Sequence, residues 1–172
     1  MKWYDEEVII GGINYHLNHL QPFDFTIDIP KTPNSAALSF RVFVRFSTHC
    51  VTEKTTEGQT EQFNDEGGMV RYFSKERHTF SLLLPDIING LLEKQCYHTS
   101  HGRNYFTIEH IDHESKVRHY HVYFTAKKTS EGVSVFVESA YVPVKPQKQK
   151  RKIKGKVILA NTFKNKKIAR HK

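Results

Sequence analysis

Residues 118–142, RHYHVYFTAKKTSEGVSVFVESAYV, decide the fold class of this chain. Apolar and aromatic side chains alternate with polar ones on both sides of Lys127 to Gly132, a polar stretch of hairpin length that contains a glycine. This period of two predicts strands over Arg118 to Ala126 and over Val133 to Val142. Together with a similar segment over Tyr105 to Ile111, they predict an antiparallel meander.

Further strands are predicted closer to the N-terminus. Leu38 to Phe46 alternates with the same period, and so does Phe23 to Ile29. Gly11-Gly12 separates two short apolar segments, which predicts an opening hairpin because glycine tolerates the positive φ of a two-residue turn. We interpret residues 1–30, the hairpin and the strand after it, as an addition to the central part of the domain.

One main helix is predicted between the two groups of strands. Thr79 to Lys94 carries Leu and Ile residues near helical spacing. Pro85 lacks an amide hydrogen, so the regular helix is predicted from about this residue onward. Residues 52–68 have no periodicity and no aliphatic residues, which predicts a mobile loop. The expected fold class is α+β, an antiparallel sheet with one main helix packed on it.

The positive charge of the chain is concentrated at one end. Residues 145–172 hold twelve of the 26 Lys and Arg residues and no Asp or Glu, although the formal net charge is only +8. Such a block favours a polyanionic partner, and we expect RNA. We therefore divide the chain into one α+β domain, residues 1–144, and a basic C-terminal segment, residues 145–172. Four residues of this segment are predicted to bind substrate: Lys150, Arg151, Lys152 and Lys154.

An apolar cluster lies within the basic segment. Val157-Ile158-Leu159 and Phe163 are its members, and they suit an added strand or a short docked element. The sequence has no apolar run long enough to span a membrane and no charged-then-apolar leader, so we expect a cytoplasmic protein without membrane contacts. Cys50 and Cys96 are then expected to be reduced.

Histidine is the candidate for acid–base chemistry, since the chain has eleven histidines and imidazole exchanges protons near neutral pH. His49 stands just past a regular strand, where a rigid element can aim a side chain into a cleft. Arg71 and Arg77 precede the helix and could clamp phosphate. The polar segment between the helix and the meander adds three further candidates: His98, Arg103 and Tyr105.

The meander itself carries polar candidates. Because strand side chains alternate, His119 and His121 share one face and are predicted to meet solvent, whereas the other face of this strand, with Tyr120, Val122 and Phe124, is predicted to be core. Ser139 and Tyr141 share one face near the end of the last strand. We include His121 among the substrate-binding residues.

Zinc is the rival interpretation of the histidines. Three pairs could each supply two ligands: His98 and His101, His110 and His113, and His119 and His121. None has a clear second pair at ligand spacing, and the two cysteines complete a site only if the fold brings them together. The sequence also lacks a Gly-rich phosphate loop, a nucleophile elbow and a dinucleotide fingerprint. We therefore expect neither a metal nor a cofactor.

The order of features from Leu38 to Val144 resembles the barnase, EndoU, colicin and RelE-like nuclease group, especially its phage and toxin branches. The shared layout is a strand ending in His49, an arginine-bearing segment, a helix and a three-strand meander. The closing Glu138-Ser139-Ala140-Tyr141 is similar to the Ser/Thr-x-Tyr ending of EndoU-type enzymes. The resemblance implies a small endoribonuclease of toxin or antiphage-defence type that cuts RNA without a metal and leaves a 2′,3′-cyclic phosphate. It leaves room for an antitoxin or inhibitor protein as a second partner.

The resemblance also implies roles for individual residues. His49 matches the general acid/base histidine, and Ser139 and Tyr141 match the substrate-contacting end of the last strand. The phosphate-binding cations would be Arg71 or Arg77, together with Arg103. The second catalytic histidine stays open among His78, His98, His101 and His121, of which we take His98. The lysine of EndoU-like enzymes has no assigned counterpart, and Glu109 or Glu138 could stand in for a barnase-like carboxylate.

A function without catalysis is the alternative. A nucleic-acid-binding or ribosome-associated module would stack bases on exposed aromatic residues such as Phe43, Tyr105 and Tyr123. An adaptor or inhibitor protein would act through protein contacts alone. The sequence leaves these alternatives open.

Overall fold

The computed structural model describes residues 2–54, 61–65, 67–99, 105–112, 118–144 and 151–168, and the side chains of all of these except residues 105–112, 118 and 119. The strands in this part of the chain are β1 (Glu7–Ile10), β2 (Ile13–His16), β3 (Phe23–Ile29), β4 (Leu38–Phe46), β5 (Thr52–Glu53), β6 (Gln62–Asn64), β7 (Val70–Phe73), β8 (Gln95–His98), β9 (Tyr105–Asp112), β10 (Arg118–Lys128), β11 (Gly132–Tyr141) and β12 (Lys152–Lys154). The helices are α1 (Lys75–Ser81), α2 (Leu84–Asn89) and α3 (Gly155–Phe163). The protein is therefore α+β and made mostly of strands.

In the described part of the chain, seven strands form the main sheet, in the order β12-β8-β9-β10-β11-β4-β3. All neighbours are antiparallel except β11 and β4, which run parallel with Val137 beside Phe46. This parallel pair places the C-terminal ends of β4 and β11 side by side. The chain that leaves β4 therefore starts at the same rim of the sheet where β11 ends.

The strands predicted from alternation are confirmed. β3 and β4 bury every second side chain over most of their length, and β9, β10 and β11 form the predicted antiparallel meander. The opening hairpin is also confirmed, with Gly11 and Gly12 at φ of 61° and 79°. Both glycines thus adopt the left-handed conformation that the turn requires.

The core lies on one face of the main sheet. Tyr120, Val122 and Phe124 of β10 are fully buried there, and the ring of Phe80 from α1 stacks on Tyr120 with 5.2 Å between ring centroids. α3 covers the same sheet with the buried side chains of Ile158 and Leu159. The burial of these large apolar side chains supplies much of the stabilisation that holds the helices on the sheet.

The basic segment contributes to this core. β12 extends the sheet beside β8, and the ring of Phe163 in α3 stacks on Phe40 of β4 at 4.3 Å. The expected docked element is therefore the helix α3 itself, preceded by an added strand. Residues 145–150 and 169–172 of the basic segment lie outside the described residues.

The helical region differs from the prediction. The expected single helix over residues 79–94 is replaced by α1, α2 and a 3-10 turn at Leu91–Glu93. Pro85 does begin a regular helix, because it occupies the first turn of α2, where no amide hydrogen is needed. α1 starts earlier than predicted, where the Ser74 hydroxyl accepts the Arg77 N–H at 3.4 Å as an N-cap.

The interpretation of residues 52–68 as a mobile loop is wrong for the part that the structure describes. β5, β6 and β7 form a small antiparallel sheet in the order β5-β7-β6. Phe63 of β6 is buried, so one aromatic residue anchors a segment that lacks aliphatic side chains. Residues 55–60 and 66 lie outside the described residues. Across the helices that are described, none is long and apolar enough to cross a membrane.

Candidate functional site

His49 lies at the rim where β4 and β11 end. It belongs to a 3-10 turn, Thr48–Cys50, that follows β4 directly. The turn is fixed to the sheet because the Ser47 N–H donates to the carbonyl oxygen of Val137 at 2.9 Å, while the Ser47 hydroxyl accepts the His49 N–H at 3.2 Å. About a third of the His49 side chain is exposed, at 31%. A rigid element thus presents an accessible imidazole.

Asp65 holds this imidazole. His49 Nε2 lies 3.1 Å from Asp65 Oδ2, and the other carboxylate oxygen accepts the N–H groups of Gly67 and Met69 at 2.9 and 2.8 Å. Gly68 has a φ of +77°, which allows the chain to turn tightly around the carboxylate. The backbone bond from Met69 and the bond from His49 hold the pKa of Asp65 below its usual value, so the carboxylate is ionised at neutral pH.

Arg77 reaches the same place from α1. Its Nη1 donates to the carbonyl oxygen of His49 at 2.9 Å, and its guanidinium carbon lies 5.1 Å from the ring centroid of Tyr141. The first contact ties the helix to the turn that carries the imidazole. The second is a cation–π contact with the last residue of β11. Arg77 therefore joins His49 to the rim of the sheet.

Two tyrosines continue the site across the sheet. Tyr141 stacks on Tyr123 of β10 with 5.4 Å between ring centroids, and the two hydroxyls are 3.4 Å apart. The ring of His121 follows at 6.2 Å from Tyr123. We call His49, Asp65, Arg77, Tyr123 and Tyr141 the His49 site. It combines an imidazole held by a carboxylate, a guanidinium and two phenols.

Three of the predicted catalytic residues meet in the His49 site: His49, Arg77 and Tyr141. Ser139 lies close by, since its Cα is paired with Tyr123 across β10 and β11, and it is half-buried. His121 is paired with Tyr141 but is only 3% exposed, so the prediction that it meets solvent is wrong. Alternation assigned the two faces of β10 correctly, because Tyr120 and Val122 face the core and His121 lies on the opposite face of the sheet. That face is also shielded from solvent at His121.

Arg71 is buried rather than displayed. Its Nε donates to the Thr52 hydroxyl at 2.9 Å and its Nη2 to the Thr52 carbonyl oxygen at 3.1 Å, with 4% of the residue exposed. The guanidinium thereby links β7 to β5. These hydrogen bonds replace bonds to water that the buried polar groups of Arg71 and Thr52 would otherwise lack. This position corrects the expectation of an open phosphate contact at Arg71.

Other predicted residues lie elsewhere. His98 is buried on β8, and three strands separate β8 from β4, so the fold does not bring it to His49. Arg151, Lys152 and Lys154 are exposed at the far edge of the sheet. Tyr105 begins β9, but its side chain lies outside the described residues, as do Arg103 and Lys150 in full.

The described side chains give no support to the zinc interpretation. Among them, no three His, Cys, Asp or Glu residues lie close enough together to hold a metal ion. Cys50 and Cys96 are both buried and no disulfide joins them. Burial raises the pKa of the Cys96 thiol to about 12, which keeps it protonated.

Asp65 is the residue of this site that the sequence did not predict. It falls in the segment interpreted as a loop, although the sequence Asn64-Asp65-Glu66-Gly67-Gly68 has the composition of a turn and stands between Phe63 and Met69. That turn was the available signal for the β6–β7 hairpin. Nothing in it indicates that the turn lies next to His49, because this proximity depends on how the small sheet packs.

Comparison with known proteins identifies one family. No curated protein and no solved structure matches the chain. The model of the YjaZ family matches residues 7–163, a range that runs from the start of β1 to the end of α3. It therefore takes in the main sheet, the small sheet and every residue of the His49 site. On this match, the chain belongs to the YjaZ family.

Proposed function

We propose that this protein is a metal-independent endoribonuclease, and that the His49 site carries the reaction. The single observation behind the proposal is the bond between His49 and Asp65 at an exposed rim, with Arg77 bonded to the same turn. An imidazole, a fixed carboxylate and a guanidinium are the groups that RNA cleavage without a metal needs. RNA is the substrate in this proposal, and its cyclic phosphate is the product.

The bond to Asp65 suits His49 to act as a base. An ionised carboxylate only accepts hydrogen bonds, so His49 Nε2 carries a proton, and in the neutral imidazole Nδ1 then keeps the lone pair. This nitrogen takes the proton of the ribose 2′-hydroxyl as the 2′-oxygen attacks phosphorus and the bond to the 5′-oxygen breaks. Asp65 then stabilises the imidazolium that forms. The leaving 5′-oxygen takes a proton from a donor on the same rim, for which the Tyr141 hydroxyl is our candidate.

Arg77 supplies the positive charge. Its bond to His49 occupies one of the five N–H donors of a guanidinium, which leaves donors for a phosphate. The Tyr141 ring beneath it limits the orientations of the guanidinium plane. Arg77 is thus suited to stabilise the charge that develops on the phosphate oxygens in the transition state.

The order of elements adds support. α1 and α2 are followed, after β8, by the three-strand antiparallel meander β9 to β11, and His49 precedes the helices just past the end of β4. This is the layout on which the resemblance to the barnase, EndoU, colicin and RelE-like group rests. Of the Ser/Thr-x-Tyr ending on β11, Tyr141 belongs to the His49 site and Ser139 lies close by.

A nucleic-acid-binding module without catalysis is the second candidate, and one observation favours it. On the sheet face opposite the core, the guanidinium of Arg41 lies 4.9 Å from the ring centroid of Phe43, and that of Arg45 lies 5.6 Å from Phe136. Cations beside aromatic rings on a sheet are suited to single-stranded RNA, through phosphate contacts and base stacking. An adaptor or inhibitor would use neither feature.

The test is cleavage of RNA in the presence of EDTA, with analysis of the fragment ends. We expect fragments with cyclic phosphate, and we expect His49→Ala to lower the rate by about 10² to 10⁴-fold, the usual contribution of an acid–base group. His16→Ala is the matched control, because His16 is exposed on β2, pairs with Glu7 and is not one of the residues of the His49 site. It should cleave at the rate of the wild type.

Two further outcomes would contradict the proposal. Cutting that EDTA abolishes would refute the metal-free mechanism. RNA that is retarded in a gel but stays intact would favour the binding module.

Asp65→Asn separates a role in orienting His49 from a role in folding, since it should shift the pH profile of the rate while thermal unfolding stays cooperative.

A further inference from the structure

The two edges of the main sheet carry opposite charges. β3 forms one edge and presents Asp24, Thr26 and Asp28 as exposed residues, with no Lys or Arg in the strand. β12 forms the other edge, where Lys152 and Lys154 are exposed. The acidic edge and the basic edge therefore belong to the same sheet of the same molecule.

The edge at β3 is protected against a further strand only by the acidic side chains of Asp24 and Asp28. Its seven residues pair with β4 in an unbroken register from Phe23 to Ile29, and the strand contains no proline, lysine or bulge. In the described part of the chain, no strand pairs with its outer side. Natural edge strands usually carry at least one of these devices, because unpaired N–H and C=O groups recruit another strand. The outer side of β3 can therefore pair with a further strand.

Both edges present their charges on the same face of the sheet. Ile153 is paired with Cys96, which is fully buried, so Ile153 lies on the core side and the two lysines lie on the opposite side. On β3 the buried Ile27 marks the core side, and Asp28 lies on the opposite side. If β12 of one molecule continued the sheet beside β3 of another, Lys152 could meet Asp28 while Ile153 met Ile27.

The strand directions also agree. Followed across the pairings from β3 to β12, the sheet has one parallel pair and five antiparallel ones, so β12 runs opposite to β3. A second copy in the same orientation would therefore add β12 to β3 as an antiparallel pair. The register with Lys152 opposite Asp28 places Ile153 opposite Ile27. Asp28 carries this contact, since Asp24 is already bonded to Arg41 at 2.8 Å.

The symmetric pairings are disfavoured by charge. Two copies of β3 paired about Thr26 would set Asp24 opposite Asp28, and two copies of β12 paired about Ile153 would set Lys152 opposite Lys154. Like charges directly opposite one another destabilise a strand pair, whereas opposite charges stabilise it. We propose that the β3 edge binds the β12 edge of a second copy of this chain, so that the protein associates head to tail.

Sedimentation velocity at increasing protein concentration tests this association. The mean mass of the full chain should rise above the 20.1 kDa of one molecule at low salt and fall again when salt is added. Asp28→Lys, with two basic edges, should stay monomeric. The double variant Lys152→Glu/Lys154→Glu, with two acidic edges, should stay monomeric as well. Circular dichroism checks that each variant is folded.

Mixing the two variants is the decisive step, because each then offers the other a complementary edge and the mass should rise again. Asp86→Lys is the control with the same change in charge at an exposed residue of α2, on neither edge strand, and it should associate like the wild type. A wild type that stays monomeric throughout, or a mixture no heavier than its components, would overturn the proposal. So would stronger association of Asp28→Lys alone, which would indicate pairing of β3 with β3.

Discussion

Gly155 and Gly132 each lie against a backbone carbonyl oxygen. A Cβ atom built on Gly155 would lie 1.8 Å from the carbonyl oxygen of Leu91, and one built on Gly132 would lie 2.0 Å from that of Arg41. Neither neighbour is a flexible side chain that could move aside. The first contact allows α3 to begin beside the 3-10 turn after α2, and the second allows β11 to begin beside β4.

Gly155→Ala tests this close approach. The added methyl group must displace backbone, so we expect the free energy of unfolding to fall by about 3 kcal/mol, a typical cost of overpacking. Gly90→Ala is the matched control, because its nearest contact would be an ordinary 3.4 Å to the carbonyl oxygen of Asp86. Urea unfolding measures both variants. Equal stability of the two variants would show that the backbone around Gly155 and Leu91 moves to accommodate the methyl group.

His19 makes stability depend on pH. Its Nε2 lies 2.7 Å from the buried hydroxyl of Ser81, and its ring lies 5.4 Å from that of His78. Burial, together with the nearby His78, lowers the pKa of His19 from 6.5 to about 4. Between pH 4 and pH 6.5, His19 therefore binds a proton in the unfolded chain but not in the folded protein. Stability should fall as the pH is lowered from 6.5 towards 4.

The prediction for this group is a difference between variants. His19→Gln has no proton to bind, so its midpoint of thermal unfolding should fall less than that of the wild type between pH 7 and pH 5. His16→Gln changes an exposed histidine at the end of β2, three positions before His19, and should retain the pH dependence of the wild type. If all three proteins lose the same stability, His19 is not the group responsible.

At the scale of elements, local patterns predicted some features and missed others for physical reasons. The strands with period two, such as β4 and β11, were readable because alternation is a property of consecutive residues. Their parallel pairing was not, since it joins segments far apart in the sequence. β8 was missed because four residues, Gln95–His98, are too few to establish a period. The same limits apply to the candidate site: His49 follows a predicted strand, whereas Asp65 reaches it through tertiary packing.

The basic segment contributes both to the folded core and to the positive charge of the chain. A truncation would remove both, so its effect on RNA binding could not be assigned to charge. Removing residues 151–168 would delete β12 and α3 and expose the core side chains that α3 covers. Its charge is better tested at Lys166 and Lys167, which are exposed after the end of α3. These lysines can change without loss of buried contacts.

Lys166→Gln/Lys167→Gln should therefore flatten the salt dependence of RNA affinity. If each lysine neutralises one phosphate, the slope of the logarithm of the binding constant against that of salt concentration should fall by about 1.4 for single-stranded RNA. Lys31→Gln/Lys54→Gln removes the same charge from exposed residues outside the segment and should leave the slope unchanged. Equal slopes for both double variants would show that Lys166 and Lys167 do not contact RNA phosphates. Fluorescence anisotropy at several salt concentrations gives the measurement.

On the scale of the whole molecule, the two ends of the chain share one core. Trp3 near the N-terminus is partly buried against it, and Ile158 in α3 is fully buried within it. The chain between them includes all seven strands of the main sheet. A single core of this kind unfolds cooperatively, so a change at one end should be felt at the other.

Ile158→Ala provides the measurement, because Trp3 is the only tryptophan and its fluorescence reports on the N-terminal end. Truncating a buried isoleucine costs about 3 kcal/mol, which corresponds to a fall of roughly 6–12 °C in the midpoint for a chain of this size. We expect the tryptophan signal and the far-ultraviolet circular dichroism to shift together by this amount. Val157→Ala, at an exposed neighbour in the same helix, should shift neither by more than about 1 °C. A tryptophan transition that stays in place while the dichroism moves would divide the molecule into two folding units, with α3 outside the one that contains Trp3.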